Sequence, residues 1–241
     1  MTRTLILSDI HGNKDALDAV LADAGDADRI WCLGDIVGYG PEPAACLAWA
    51  REHCEIVLSG NHDYAAFEPS VAQDFNPNAA RAASWTRAAL SWEEIGYLRS
   101  LPSLVEVDGV TLAHASPADP IWTYILSVVD ARDAFESCRD PLGFVGHTPV
   151  AACDAATEKM IARVQIVNDE PLSLAGGRFV INPGSVGQPR DRDPRAAYLW
   201  YDPAAPSVTW KRVAYDIAAV QEKILRAGLP ERLASRLALG Q

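Results

Sequence analysis

Apolar residues in this chain come in short runs, and most runs end abruptly on a polar residue. Residues 4–7 form the first, good for a buried strand. After a polar turn, Leu17, Val20, Leu21 and Ala24 recur at helical spacing, with Asn13 placed to cap a helix over 14–24. Residues 29–33 read as a second strand, 43–52 as a second helix and 55–58 as a third strand. Strands alternating with helices predict a βαβ start with parallel pairing. Residues 64–101 carry helical spacing and no strand pattern. Asn76-Pro77 is a helix start with proline in the first turn, and Ser91 with Glu94 is a capping box before a shorter helix. This stretch reads as a helical insertion, placed as a cap.

Beyond residue 104 the pattern turns to strands. Residues 105–107 and 110–113 flank Asp108-Gly109, the signal for a tight hairpin. A helix is predicted over 130–138, strands near 143–145, 161–167, 178–181, 196–201 and 207–213, and a helical tail over 216–238. No repeat, low-complexity tract or interdomain linker interrupts the chain, which reads as a single domain over residues 1–241.

Composition narrows the class. The 241 residues are 49% apolar and 22% charged, ordinary for a globular protein able to bury a full core. A net charge of −11 opposes non-specific binding to nucleic acid or anionic lipid. Five cysteines without C-x-x-C spacing indicate neither a disulfide framework nor a thiolate zinc site. The opening MTRTLILSDIHGN lacks the plan of a signal peptide, and no apolar run is long enough to span a bilayer, so a cytoplasmic protein is expected.

The chemistry lies where the apolar runs stop. Leu5-Ile6-Leu7 is followed by Asp9 and His11. Trp31-Cys32-Leu33 leads to Asp35, Ile56-Val57-Leu58 to Asn61-His62-Asp63, Val110-Thr111-Leu112-Ala113 to His114, and Phe144-Val145 to His147. Four of the five histidines occupy such positions. Taken singly, each residue is an ordinary cap, turn residue or strand-end histidine. Taken together, five loops carry the same punctuation. In open α/β sheets, loops beyond the carboxyl ends of strands converge on one crevice. Asp9, Asp35 and Asn61 with His11, His114 and His147 form a mixed oxygen and nitrogen donor set. It suits manganese, iron or zinc better than magnesium or calcium. Six donors with one carboxylate bridging through its two oxygens make a plausible dinuclear centre. Two ions about 4 Å apart serve in-line attack on phosphorus.

The ordered motifs SDIHGN, GDIVGYGP, GNHD, HASP and GHTP resemble the calcineurin-like metallophosphoesterase family, most closely its small bacterial and archaeal phosphodiesterase branch. The resemblance implies an α/β fold, a four-layer α-β-β-α sandwich of two mixed sheets packed face to face. It implies two divalent ions, manganese foremost with iron or zinc as alternatives. Asp9 and His11 would hold the first ion, Asp35 would bridge, and Asn61, His114 and His147 would hold the second. His62 would act as general acid or stabilise the transition state, oriented by Asp63. The family's last motif is usually G-H-x-H, and here its second histidine is replaced by Pro149, so the first site is expected to be weak. The Asp-Arg-Gly of the Ser/Thr phosphatase and diadenosine-tetraphosphatase branches is absent after the second motif, which disfavours those branches. The loop 182–190 also resembles one in the small phosphodiesterases. Asn182, Ser185 and Arg190 are its candidate substrate contacts, with Arg192 an alternative to Arg190. The expected activity is hydrolysis of a small phosphodiester or phosphomonoester by a metal-activated water, in a protein that could form a homo-oligomer. The vacancy at Pro149 leaves a non-catalytic metal-binding scaffold as the alternative.

Overall fold

Residues 3–241 are described by a computed structural model. The alternating start folds as its pattern predicts: β1 (Thr4–Leu7), α1 (Lys14–Ala24), β2 (Arg29–Cys32), α2 (Pro43–His53) and β3 (Ile56–Val57), with all three strands parallel. The Asn13 side chain accepts the Ala16 amide and caps α1. The helical stretch contains α3 (Asn61–Phe67), a 3-10 segment over Pro69–Asp74, α4 (Pro77–Ala89) and α5 (Trp92–Ser100). Asn76 caps α4 and the Ser91–Glu94 box caps α5. Helix α3 begins three residues earlier than the pattern suggests, so Asn61, His62 and Asp63 form its first turn.

β4 (Leu104–Val107) and β5 (Val110–Ala113) form the expected hairpin. Asp108 and Gly109 both have positive φ, 51° and 76°, as a two-residue hairpin turn requires. Then follow α6 (Val128–Ser137), β6 (Leu142–Phe144), β7 (Ala152–Ala156), β8 (Ile161–Arg163), β9 (Leu172–Ser173), β10 (Arg178–Asn182), β11 (Ala196–Asp202), β12 (Ser207–Val213), α7 (Ile217–Arg226) and α8 (Glu231–Ser235). Four expectations change, the first being the unforeseen two-residue β9 paired with β12. Strand 161–167 stops at Arg163. The tail breaks into pieces because Gly228 takes φ 70° and Pro230 follows two residues later. The alanine-rich β7 was not foreseen; its five-residue register with β10 makes it a strand despite weak intrinsic preference.

The strands form two six-stranded mixed sheets, in the orders β3-β2-β1-β11-β12-β9 and β4-β5-β6-β10-β7-β8. Period-two alternation assigns each side chain to a layer. Ile6, Trp31, Leu199 and Trp210 from one sheet meet Leu112, Phe144, Cys153 and Ile181 from the other. Leu5 and Leu7 point the opposite way and pack with Leu17, Val20 and Leu47 of α1 and α2. Val180 likewise packs outward against Ala131, Ala134 and Phe135 of α6. The result is the expected α-β-β-α sandwich. A further cluster joins Tyr39 and α4 to Val220, Ile224, Leu233 and Leu237 of the tail. The parallel strands of both sheets end at one edge, and the donor-bearing loops leave from there.

Candidate metal centre

All six proposed donors are buried, as are His62 and Asp63. Asp9, His11 and Asp35 form one group, and Asp35, His114 and His147 a second, in each of which one ligand atom per residue lies within 4.8 Å of the others. Asp35 belongs to both. Its Oδ2 lies 3.8 Å from His11 Nε2 and 3.5 Å from His114 Nε2, too far for hydrogen bonds. Two ligands each about 2.1 Å from one ion sit about 3.0–3.4 Å apart at octahedral to tetrahedral angles, so the second spacing lies at the edge of that range and the first a little further beyond. Asn61 Oδ1 is 3.3 Å from His114 Nε2 and joins the second group.

The imidazoles are held from behind. His11 Nδ1 is 3.2 Å from the Val37 carbonyl and His114 Nδ1 is 2.9 Å from that of Leu33. Donating there leaves the Nε2 lone pair free toward the acids. His147 is reversed: its Nε2 reaches the Trp122 carbonyl at 3.1 Å, leaving Nδ1 as the free nitrogen.

Electrostatics point the same way. Burial raises the Asp9 carboxyl from 3.8 to about 6, against lowering by the Ser8 hydroxyl and Arg190. Burial, then repulsion from Asp9 and Asp63, pushes Asp35 well above the ordinary carboxylate range. Burial holds His11 and His114 well below 6.5, and takes His147 down to about 4 and His62 to about 3. The cluster is therefore made of carboxyls that resist ionising and imidazoles that resist protonation. A divalent cation would relieve the first and use the lone pairs of the second.

The backbone is bent to place these groups. Asp9, His11, Asp35, Tyr39 and His147 all have φ between 52° and 61°, the left-handed region that non-glycine residues seldom enter. Gly60 packs against Asp35 so closely that a Cβ there would collide with the Asp35 carboxylate, and a Cβ on Gly146 would strike the Ser8 hydroxyl. These glycines allow the loops to touch.

Other expectations are corrected by hydrogen-bond accounting. Asp63 does not orient the His62 ring: its two oxygens accept the amides of Val37 and Gly60, each at 3.0 Å, while His62 Nδ1 is buried without a partner. Asp63 ties two site loops together instead. The Asn182 amide donates to the Gly146 and Thr148 carbonyls, and its oxygen accepts the Gly184 amide. Ser185 donates to the Asp9 carbonyl and accepts the Gln188 amide. Both clamp the site loops from below. The two oxygens of Asp35 are also unequal, since Oδ1 accepts the His62 amide at 2.8 Å and only Oδ2 faces both imidazole nitrogens. Arg190 does face the site. Its guanidinium lies 5.4 Å over the Tyr39 ring, one nitrogen bonds Gln188, and its Nε is buried without a partner. Pro149 contributes its carbonyl to the Arg190 amide at 3.1 Å.

Tyr39 escaped the sequence reading. Its ring lies 4.7 Å from that of His11 and 4.3 Å from that of His62. Its signal was the G-Y-G triplet, a large side chain between glycines.

Comparison with known proteins places this geometry in a family. A calcineurin-like phosphoesterase superfamily domain matches residues 2–203, and the chain belongs to that superfamily. It is 38% identical over 244 residues to an uncharacterised protein of Methanocaldococcus jannaschii, covering 98% of this chain and 97% of that one. The crystal structure of a metallophosphoesterase from Sphaerobacter thermophilus superposes with a TM-score of 0.90 at 43% identity, covering 100% of this chain and 99% of the other. A symmetrical bis(5'-nucleosyl)-tetraphosphatase of Erwinia tasmaniensis is 28% identical over 138 residues, 54% of this chain and 50% of that enzyme. The chain thus spans about half the length of that last relative. The family is metal-dependent and hydrolyses phosphoesters, and this protein is a hydrolase of that class.

Proposed function

We propose that the protein hydrolyses a small phosphodiester or phosphomonoester at a dinuclear metal centre. Asp9, His11 and Asp35 would hold one divalent ion, and Asp35, Asn61, His114 and His147 the other, with Asp35 common to both groups. The observation that carries this reading is the place of Asp35 Oδ2 between His11 Nε2 and His114 Nε2. The donor set favours manganese, with iron or zinc as alternatives. Bound ions of this kind activate water and neutralise charge on the phosphoryl oxygens.

The chain's own residues supply the rest. His62, neutral near pH 7 because burial takes it to about 3, serves by donating a ring N–H to a phosphoryl or leaving oxygen. Arg190 offers its guanidinium, anchored by Gln188, to a non-bridging oxygen. Asp63, Asn182 and Ser185 hold the loops so that these groups keep their positions.

Turnover of chromogenic phosphate esters with added manganese tests the reading. Wild type should hydrolyse them. Asp35→Asn should lose metal and activity together, and His62→Ala should keep its metal and lose roughly 100-fold or more in kcat. Equal activity in all three proteins would refute it, and a metal content well below one ion with no hydrolysis would favour the scaffold.

A further inference from the structure

A cavity of about 560 Å³ opens beside the metal centre and shares Asn61, His62 and His147 with it. A phosphate held by those residues would direct one ester substituent into this space. The walls indicate what that substituent is. Tyr39, Phe75, Trp122 and Tyr124 line the cavity, four aromatic rings from three segments of the chain. Trp122 and Tyr124 are 39% and 45% exposed, and exposed aromatics at a cavity mouth are available for stacking. Their backs are supported: Trp122 meets Tyr64 edge-on at 5.9 Å, and Tyr124 stacks on His147 at 3.8 Å.

The polar lining beyond the metal centre is equally selective. Asp74 is the one Asp, Glu, Lys or Arg among the lining residues, and it makes no ion pair among the described residues. An acid there opposes a second phosphate and welcomes an N–H donor. Two residues on, the Asn76 oxygen is consumed by the Asn78 and Ala79 amides, which leaves its NH2 to donate. An acceptor and a donor side by side complement the edge of a heterocyclic base, which presents N–H groups next to ring nitrogens or carbonyls. An acyl chain would leave both unmatched, and a sugar alone would leave the rings uncovered.

We propose that this cavity is a nucleobase subsite, and that the substrate is a small nucleoside phosphate ester with its base among Trp122, Phe75 and Tyr124 and its edge on Asp74 and Asn76. This rests on the phosphoesterase reading for the position of the phosphate. Recognition of the base stands on the cavity itself.

Calorimetry on manganese-loaded protein tests it, with the non-hydrolysable methylene-phosphonate analogues of adenosine 5'-monophosphate and of ribose 5-phosphate as probes. The nucleotide analogue should bind at least about tenfold more tightly than the sugar analogue, since stacking one base contributes at about that level. Trp122→Ala should erase most of the difference, and Asp74→Ala should weaken the nucleotide analogue alone. Both positions lie outside the metal ligands, so manganese content should be unchanged in each variant. Equal affinity for the two probes, or an undiminished preference in both variants, overturns the base subsite even if hydrolysis is intact. A base-dependent preference in a protein that hydrolyses nothing supports the subsite and refutes the phosphoesterase reading instead.

Discussion

Asp9→Asn separates the cost of building this site from its use. Asp9 is fully enclosed, and its carboxyl is raised from 3.8 to about 6, chiefly by burial. A raised folded-state value means that the folded protein holds its proton more tightly than the unfolded chain. The associated stability is complete below about pH 4 and is lost as pH rises through about 6. At pH 7.5 the metal-free protein therefore carries a cost of about 3 kcal/mol at this one residue. Asparagine removes that charge and keeps an oxygen that can accept the Ser8 hydroxyl now 2.6 Å from Asp9 Oδ2. It also tolerates the φ of 54° better than almost any other residue. Metal-free Asp9→Asn should thus be more stable than wild type at pH 7.5, by up to about 3 kcal/mol, or roughly 6–12 °C in Tm for a domain of this size. At pH 4 the two should melt together. With manganese the order reverses, because wild type gains binding free energy that the variant lacks. Thermal melts in chelator and in manganese, at both pH values, measure all four numbers. A variant less stable than wild type in chelator at pH 7.5 would refute the reasoning, since it would show that the carboxylate is satisfied by protein groups alone.

Gly60→Ala places a methyl group against the Asp35 carboxylate. It should abolish metal binding in titration calorimetry while leaving far-UV circular dichroism unchanged; wild-type affinity would show that Asp35 can move without loss. Pro149→His restores a donor where the family usually has one. Its affinity for manganese at the Asp9–His11 half should rise by roughly tenfold or more, the scale of one added ligand interaction, whereas unchanged affinity and stoichiometry would mean that another group already completes that half.

The positions of the donors were legible because their pattern is local: an apolar run, a stop, then Asp, Asn or His. Most individual strands were legible for the same reason, except β7 and β9, whose pairing comes from partners far along the chain; that the strands form two sheets was implied by the family resemblance. What the sequence hid was the difference between residues that face the cavity and residues that hold the loops. Ser185 bonds the carbonyl of Asp9 across 176 positions, and Asn182 bonds two carbonyls more than 30 residues away. Nothing near N-P-G-S encodes those partners. Asp63 follows His62 directly, yet helix α3 turns its carboxylate toward Gly60 and Val37. The aromatic cavity was hidden because Tyr39, Phe75, Trp122 and Tyr124 share no periodicity. They meet only where the loop after β2, the junction between the 3-10 segment and α4, and the loop after β5 come together.

The left-handed residues explain why such a site can exist before any cation arrives. Strand β1 ends at Leu7, but its bonding to the segment after β2 does not. The amides of Asp9, His11 and Gly12 donate to the carbonyls of Gly34, Asp35 and Ile36 at 2.8–3.0 Å. On the other side, the amides of Val186 and Gly187 donate to the carbonyls of Ser8 and Asp9. A left-handed residue reverses the local direction of the chain, so positive φ at Asp9, His11 and Asp35 lets paired backbone continue while their side chains meet at one point. Each such residue costs stability, and five backbone hydrogen bonds, each contributing about 1 kcal/mol net, offset it. The donors are consequently fixed by backbone that metal does not touch. Metal removal should leave these loops in place, and the buried carboxyls then carry the uncompensated charge that Asp9→Asn is designed to expose.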